Sequence, residues 1–317
     1  MKISIHQSTL AFSMASGILL VVLNIAIFTL SFPGLAAESE VASLRQNHLP
    51  AQRDVYRPPP PPTFLSELNL RAADISVDDP EPLPMLRYHS NDLISLASLT
   101  KLMTALVVIE NKPNWSSAVT IKEADQRGGA KPRIFPGEKI TIRDLWHLML
   151  VSSDNDATVA LVYGLNLEEQ GFVKLMNEHA LKLGLTSTHF VEPTGLSPEN
   201  VSTAREFAVI ARHALSQKII TDELSLTNVN IKVDGEERRI FSSDQQFKNF
   251  RNAEQDGWIY VAGKTGHVDE AGYNVAILSR NNQGAEILAV ILGSPTSEER
   301  LRATDRLIKW AFGELSK

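Results

Sequence analysis

Apolar and polar positions divide the chain into three parts. A mainly apolar stretch without charges, residues 7–37, is followed by a polar segment that ends in the proline run 58–62. In the remaining residues, apolar side chains recur at the three-to-four spacing of helices or alternate as in strands. The pattern therefore predicts one folded region, residues 66–317, behind an N-terminal part of different character.

Within the folded region, helices are predicted in the middle and strands mainly towards the ends. The predicted strands are 68–75, 85–88, 259–262, 273–279 and 286–292. The predicted helices are 99–110, 142–152, 157–163, 168–183, 204–215 and 298–314, with a looped β excursion over 119–140. Thr141 and Thr203 each precede an acidic residue by three positions, as in a capping box. This order predicts an α+β fold in which a mixed sheet packs against helices and a helical subdomain is inserted.

Residues 1–36 have the pattern of a secretory signal peptide. Lys2 and His6 precede an apolar centre at 15–32, and small residues permit cleavage after Ala36. An uncleaved signal anchor is the alternative, since about 20 apolar residues can span a bilayer. Both interpretations predict export, and only the anchor predicts contact with a membrane.

Residues 37–65 are typical of an extended linker. Polar residues dominate, and consecutive prolines favour a polyproline II conformation that has no core of its own. We therefore expect a stiff tether between the export signal and the folded region.

Composition excludes several functional classes. With 43% hydrophobic and 21% charged residues, the chain has an ordinary globular composition, and its net charge of −6 argues against binding to nucleic acid. It has no cysteine, so disulfides and thiol chemistry are excluded. The eight histidines have no metal-binding spacing, and we expect neither a metal nor another cofactor.

Three short motifs carry the candidate chemistry. They are SLTK at 98–101, SDN at 153–155 and KTG at 264–266. Each alone has an ordinary structural explanation: a surface helix, a helix cap and the end of a strand. Together they supply the groups for acyl transfer through a serine ester.

The first motif predicts a nucleophile and its base. Ser98 and Lys101 are three residues apart and therefore share one face of a helix. A serine hydroxyl needs a neighbouring base to become a good nucleophile. Burial in the apolar helix 99–110, together with the positive charge of Lys264, would lower the pKa of Lys101 enough for this role.

The second and third motifs predict groups that bind substrate and move protons. Ser153 is assigned the proton relay to the departing amine, and Asn155 is assigned the substrate carbonyl and the support of Lys101. Asp154 is expected to point away from the site. Lys264 and Thr265 are assigned a substrate carboxylate.

The glycine of the third motif and the residue after it complete the predicted site. Gly266 has no side chain, so we expect a substrate backbone to approach the strand there. We expect the backbone N–H groups of Ser98 and His267 to form the oxyanion hole, with the His267 ring playing no part.

The sequence ASLTKLMTALVVIE, residues 97–110, resembles the nucleophile helix of the low-molecular-mass penicillin-binding proteins. These form the D-alanyl-D-alanine carboxypeptidase and endopeptidase family. The resemblance continues over 176–205 and 263–273. It implies the penicillin-binding transpeptidase fold, which is β-lactamase-like, with a mainly antiparallel sheet, and it makes 66–317 a DD-peptidase domain. It also implies a periplasmic location, peptidoglycan peptides as substrates and β-lactam antibiotics as covalent inhibitors, and the family's roles match those assigned above.

The resemblance is greatest to the short, soluble endopeptidase branch. The segments EPTGLS at 192–197 and NVSTAR at 200–205 resemble that branch. The chain ends soon after the last predicted strand, so we expect it to lack the C-terminal β domain of many carboxypeptidases. Cleavage of peptide cross-links is therefore expected, and removal of a terminal D-alanine remains an alternative.

Two other functions remain open. SDN is the usual sequence of this motif in class A β-lactamases. Those enzymes also need a glutamate that activates a water molecule. Glu192 lies in a suitable interval, but position 196 is Leu where that pattern has Asn. The other alternative is a non-catalytic module that binds cell-wall peptides, although such a module has no need of a buried lysine beside a serine.

Overall fold

The computed structural model describes residues 56–79, 81–129, 131–250 and 256–317. The predicted signal peptide and residues 37–55 of the predicted linker lie outside the described residues. The end of that linker differs from the expectation. Thr63–Glu67 form a 3₁₀ turn, and Phe64 and Leu65 pack against a core cluster. The packed region therefore includes residues before Ser66.

The elements follow in chain order. The strands are β1 (Ala72–Asp79), β2 (Glu81–Tyr88), β3 (Ile94–Ser95), β4 (Ala118–Thr120), β5 (Lys139–Thr141), β6 (Val201–Ser202), β7 (Asn228–Val233), β8 (Glu236–Phe241), β9 (Ile259–Val268), β10 (Gly272–Arg280) and β11 (Glu286–Ser294). The helices are α1 (Thr100–Glu110), α2 (Ile142–Val151), α3 (Asn155–Gly164), α4 (Glu169–Lys182), α5 (Ala204–Leu215), α6 (Lys218–Ser225), α7 (Gln245–Lys248) and α8 (Ser297–Leu315). Short 3₁₀ turns also cover Ala97–Leu99 and Glu123–Asp125.

A five-stranded sheet forms the centre of the fold, with strand order β2-β1-β11-β10-β9. Each pairing in this sheet is antiparallel, so the mixed sheet predicted from element order is wrong and the antiparallel sheet implied by the resemblance is confirmed. The order places β9, which carries the third motif, at the end of the sheet beside β10.

Both faces of the sheet are buried, because successive residues of a strand point to opposite faces. In β11, Leu288 and Val290 belong to one core cluster, whereas Ile287 and Ala289 belong to the other. Helix α8 packs on the second cluster, and helices α1 to α6 contribute to the first. The α+β class is therefore confirmed, with a helical region between β2 and β9.

Helix α1 lies inside the first cluster and is buried on all sides. Its residues from Thr100 to Val108 are all buried. The nearly all-apolar sequence predicts this burial, since a helix with hardly any polar face needs neighbours all around it. Each large apolar side chain contributes about 1.5–3 kcal/mol when it leaves water, so this burial stabilises the helix that directly follows Ser98.

Helix α6 and the hairpin β7–β8 are absent from the sequence prediction. The hairpin turns at Asp234 and Gly235, which both have positive φ, 52° and 85°. An Asp-Gly pair between alternating segments is a strong signal for such a turn and was available in the sequence. Among the described helices, none is long and apolar enough to cross a membrane.

Candidate active site

Ser98 lies in the 3₁₀ turn that joins β3 to α1, and it is half-buried. The preceding residue, Ala97, has φ of +49°, an unusual value for a residue with a side chain. Two glycines pack against this turn. A Cβ on Gly195 would lie 1.9 Å from the Ala97 carbonyl oxygen, and a Cβ on Gly266 would lie 2.8 Å from the Ser98 nitrogen.

Lys101 lies in the first turn of α1 and is fully buried. Its Nζ is 3.2 Å from Ser98 Oγ, 2.8 Å from Asn155 Oδ1 and 2.6 Å from the Thr194 carbonyl oxygen. The first and second motifs therefore meet at this nitrogen. Thr194 is a partner that the sequence prediction did not include.

The electrostatic environment favours the neutral form of Lys101. Its pKa is lowered to about 7, first by burial and second by the positive charge of Lys264. The carboxylates of Glu192 and Asp154 act in the opposite direction. The third motif thus lies close enough to affect the protonation of the first.

The second motif lies between α2 and α3. Ser153 has φ of +60°, and its buried Oγ has no hydrogen-bond partner among the described residues. Asp154 caps α3 by accepting a hydrogen bond from the Ala157 N–H at 2.9 Å, and it pairs with Arg133 at 3.3 Å. The contacts of Asp154 therefore stabilise the protein around the site, and only its charge affects Lys101.

Asn155 begins α3 and connects three parts of the site. Its Oδ1 accepts from Lys101, while its Nδ2 donates to the Gly128 carbonyl oxygen at 2.9 Å. The neighbouring Asp156 accepts from the Arg127 N–H at 2.6 Å, and so anchors the same loop. The support of Lys101 that the sequence assigned to Asn155 is present in this geometry.

The third motif lies within β9, where Lys264 is fully buried and donates to the Thr265 carbonyl oxygen at 2.9 Å. Burial lowers the pKa of Lys264; Asp244 opposes this shift, and Arg300 adds to it. The Thr265 hydroxyl donates to Asp244 Oδ1. The sequence predicts that this hydroxyl binds a substrate carboxylate. In the structure its hydrogen is instead donated to the Asp244 carboxylate.

Gly266 and His267 follow in the same strand. The space beside Gly266 is occupied by the turn that holds Ser98, so the glycine is required by that contact as well as by any approach of substrate. The exposed His267 ring stacks on Tyr273 with centroids 4.0 Å apart. The ring is thus engaged on the protein surface, while the backbone of β9 runs past Ser98.

The loop 191–200 supports the site, and sequence reasoning missed most of its contacts. Asn200 donates to Glu192 Oε1 at 2.7 Å, and the Gly195 N–H donates to the same oxygen at 2.6 Å. Glu192 Oε2 accepts from the Thr194 N–H at 2.7 Å. The loop also holds α1, because Thr104 donates to the Pro193 carbonyl oxygen at 2.6 Å. The segment EPTGLS was the available signal for this loop.

These hydrogen bonds bear on whether Glu192 can activate a water molecule. Both of its carboxylate oxygens accept hydrogen bonds from its own loop, so neither is free to activate a water molecule as a β-lactamase requires. In the described part of the chain, no cluster of three acidic or histidine side chains is arranged to hold a metal ion. The arrangement can perform nucleophilic acyl transfer with a lysine base.

Comparison with known proteins gives the same chemistry. The family model for D-alanyl-D-alanine carboxypeptidases, peptidase family S11, matches residues 85–296. The chain belongs to this family. It is a serine-type D-Ala-D-Ala peptidase of the low-molecular-mass penicillin-binding class, and the resemblance stated from the sequence is confirmed.

Some relatives are named endopeptidases and others are named carboxypeptidases. A D-alanyl-D-alanine endopeptidase of Haemophilus influenzae is 32% identical over 221 residues, which cover 68% of this chain and 73% of the relative. The Bacillus subtilis carboxypeptidase DacF is 30% identical over 234 residues, 71% of this chain. The matched part is 58% of DacF, so the chain spans little more than half of that relative.

A solved structure extends the comparison to the fold. Penicillin-binding protein D2 of Listeria monocytogenes, in its ampicillin-bound form, superposes with a TM-score of 0.66 at 25% identity. The match covers 77% of this chain and 98% of that protein. The penicillin-binding fold of this peptidase is therefore confirmed.

Proposed function

We propose that this peptidase cleaves D-alanyl cross-links between peptidoglycan peptides through an acyl-enzyme on Ser98. The observation that carries the acyl-enzyme chemistry is the set of three partners around Lys101 Nζ. Two are oxygens that only accept hydrogen bonds, from Asn155 and Thr194, and the third is the Ser98 hydroxyl.

A neutral amine has two hydrogens and one lone pair. Donation of both hydrogens to Asn155 and Thr194 leaves the lone pair for the Ser98 hydroxyl hydrogen. The lowered pKa of Lys101 supports this protonation state near neutral pH. The same three oxygens could also accept from a charged ammonium, so the lowered pKa of Lys101 is what favours the general base near neutral pH.

Acylation begins with proton transfer from Ser98 to Lys101 and ends with departure of the amine. Lys101 takes the hydroxyl proton as Ser98 Oγ attacks the D-alanyl carbonyl carbon. The negative charge on the carbonyl oxygen is bound by the N–H groups of Ser98 and His267. As the peptide C–N bond breaks, the proton passes from Lys101 through Ser153 to the leaving amine. Ser153 Oγ is buried and has no hydrogen-bond partner among the described residues, so this relay requires a contact with Lys101 that forms when substrate is bound.

Hydrolysis of the ester regenerates the enzyme. Water attacks the acyl carbon and gives one proton to Lys101, which returns it to Ser98 Oγ as the ester bond breaks. The second Nδ2 hydrogen of Asn155 binds the carbonyl of the peptide. Lys264 supplies the positive charge that attracts the carboxylate beside the scissile bond.

Features of the sequence and of its relatives support the proposed substrate and location. The similarity to a Haemophilus influenzae protein named endopeptidase supports cross-link cleavage, and the apolar N-terminal segment supports export to the periplasm. The ampicillin-bound Listeria relative supports β-lactams as covalent ligands of Ser98. Removal of a terminal D-alanine is the second candidate, favoured by the relative named carboxypeptidase.

Purified protein and cross-linked peptidoglycan fragments provide the test. Mass spectrometry should find dimers converted to monomers, and the Ser98→Ala variant should leave the dimers intact. Loss of terminal D-alanine alone would make the enzyme a carboxypeptidase. Rapid turnover of penicillin without peptide cleavage would contradict the proposal and favour a β-lactamase, and inertness to both would favour a binding module.

A further inference from the structure

A buried carboxylate beside the third motif has no role in the mechanism above. Asp244 follows β8, precedes α7 and is 2% exposed. Its Oδ1 accepts hydrogen bonds from the Thr265 hydroxyl and, at 3.2 Å, from the Ser243 hydroxyl. Asp244 is thus in direct contact with a residue assigned to substrate binding.

Asp244 also lies close to two buried cations. Its charge acts on Lys264 in β9 and on Arg300 in α8, which is 5% exposed. Arg300 in turn donates to the Asn274 carbonyl oxygen at 3.2 Å. Two positive charges and one negative charge leave a net positive charge, which is available to a substrate carboxylate.

The hydroxyl of Thr265 has only one hydrogen to donate. An ionised carboxylate accepts hydrogen bonds and donates none. The bond between them therefore uses the Thr265 hydrogen, and the hydroxyl presents only lone pairs to a bound ligand. A lone pair repels a carboxylate, so Thr265 cannot donate to one while this bond is intact.

We infer that Asp244 is a specificity-determining residue, because it withholds the Thr265 hydroxyl hydrogen from the substrate. The inference rests on the proposed function, in which the third motif receives the carboxylate beside the scissile bond. Recognition of that carboxylate then depends on the charge of Lys264. Charge attraction without a directed hydrogen bond tolerates variation in the position of the carboxylate. A substrate with a bulky residue after the scissile bond needs this tolerance, because its carboxylate cannot always occupy the same position.

The first experiment leaves Asp244 in place. An N-acylated peptide ending in D-Ala-D-Ala is compared with its C-terminal carboxamide, and kcat/KM is measured for both. Thr265→Val removes the hydroxyl at nearly constant volume. The ratio of carboxylate to carboxamide should not fall, because the lost hydroxyl presented only lone pairs to the carboxylate. A fall of about tenfold or more, the size expected for a lost hydrogen bond to a charged group, would overturn the inference.

The second experiment releases the hydroxyl. Asp244→Ala removes both carboxylate acceptors, so the Thr265 hydroxyl can donate to the substrate and the ratio should rise about tenfold. This substitution also removes one negative charge from the site, and Asp244→Ala in the Thr265→Val background measures that contribution alone. A much smaller rise there supports the inference. An equal rise in both backgrounds, or no rise in either, would overturn it.

Ser243→Ala is the matched control, because it removes another donor to the same carboxylate without touching Thr265. Its ratio should equal that of the wild type, and a tenfold rise in this variant would overturn the inference. If Asp244→Ala does not fold, the Thr265→Val result decides alone. Failure of the wild type to cleave either peptide counts against the proposed function, whereas cleavage with an unfavourable ratio counts only against the role of Asp244.

Discussion

The ε-amino nitrogen of Lys101 lies 3.2 Å from the Ser98 hydroxyl oxygen and is fully buried. Ser98 is in the 3₁₀ turn, and Lys101 is in the first turn of α1. The three-residue spacing brings the two side chains together, and the burial of α1 keeps water from the amine. One local segment thus provides both the nucleophile and the conditions that make its base effective.

Ser98→Ala should abolish covalent labelling by penicillin and leave thermal stability nearly unchanged. Only one long hydrogen bond of a half-buried hydroxyl is lost, so we expect the free energy of unfolding to change by less than about 1 kcal/mol. Intact-mass spectrometry after incubation with penicillin measures the labelling. Ser153→Ala is the control and should retain labelling at a lower rate. Labelling of the Ser98 variant would assign the nucleophile to another serine.

The acylation rate should depend on pH through Lys101. Its pKa of about 7 means that the neutral, basic form is the minority below pH 7 and the majority above it. The rate should therefore rise about tenfold per pH unit below 7 and level off above it. Stopped-flow acylation by penicillin between about pH 5 and 9 measures this profile. A rate that is constant below pH 7 would contradict the assignment of Lys101 as base.

Lys264→Gln should shift this profile to higher pH. The positive charge of Lys264 is the second cause that lowers the pKa of Lys101, so its removal raises that pKa. Lys264→Arg keeps the charge and is the control, with a profile close to that of the wild type. Equal profiles for the Gln variant and the wild type would limit Lys264 to substrate binding.

Local sequence predicted the parts of the site that lie on single elements. The Ser98–Lys101 pairing follows from helical spacing, and the burial of Lys101 follows from the apolar residues around it. Asp154 caps α3 as its residue type and position suggest. These features depend on neighbours along the chain, which a single sequence displays.

Contacts between distant segments were not predictable in the same way. Asp244 reaches Thr265 across 21 positions, and Lys101 reaches the Thr194 carbonyl oxygen across 93. Such contacts require the folded arrangement of β8, β9 and the loop 191–200. For the same reason Thr265 was assigned only to substrate, since its protein partner could not be recognised from KTG alone.

Glu192→Gln should destabilise the protein without changing the lifetime of the penicillin acyl-enzyme. Both carboxylate oxygens accept hydrogen bonds within the loop 191–200, and loss of part of this set should cost about 1–3 kcal/mol. Thermal unfolding measures the stability, and intact-mass spectrometry follows decay of the acyl-enzyme. Glu199→Gln, an exposed residue of the same loop, should change neither. A much longer acyl-enzyme lifetime in the Glu192 variant would make Glu192 the base for deacylation and revive the β-lactamase alternative.

Gly195→Ala should impair acylation by displacing Ser98. Gly195 has φ of +87°, and an added Cβ would lie 1.9 Å from the Ala97 carbonyl oxygen and 2.9 Å from the Ser98 nitrogen. Gly284, with φ of +89°, has open space at the corresponding position, so Gly284→Ala tests backbone strain alone. That strain should cost about 1–2 kcal/mol in both variants.

Only the Gly195 variant has the additional overlap, so its acylation rate should fall by at least about tenfold, equivalent to about 1.4 kcal/mol. Penicillin acylation, measured well below each variant's unfolding temperature, separates this effect from lost stability. Equal acylation by the two glycine variants would mean that the 191–200 loop can withdraw from Ala97 without moving the nucleophile. A selective loss in the Gly195 variant would make contact between this loop and the turn at Ser98 a requirement for acylation, alongside the lysine base.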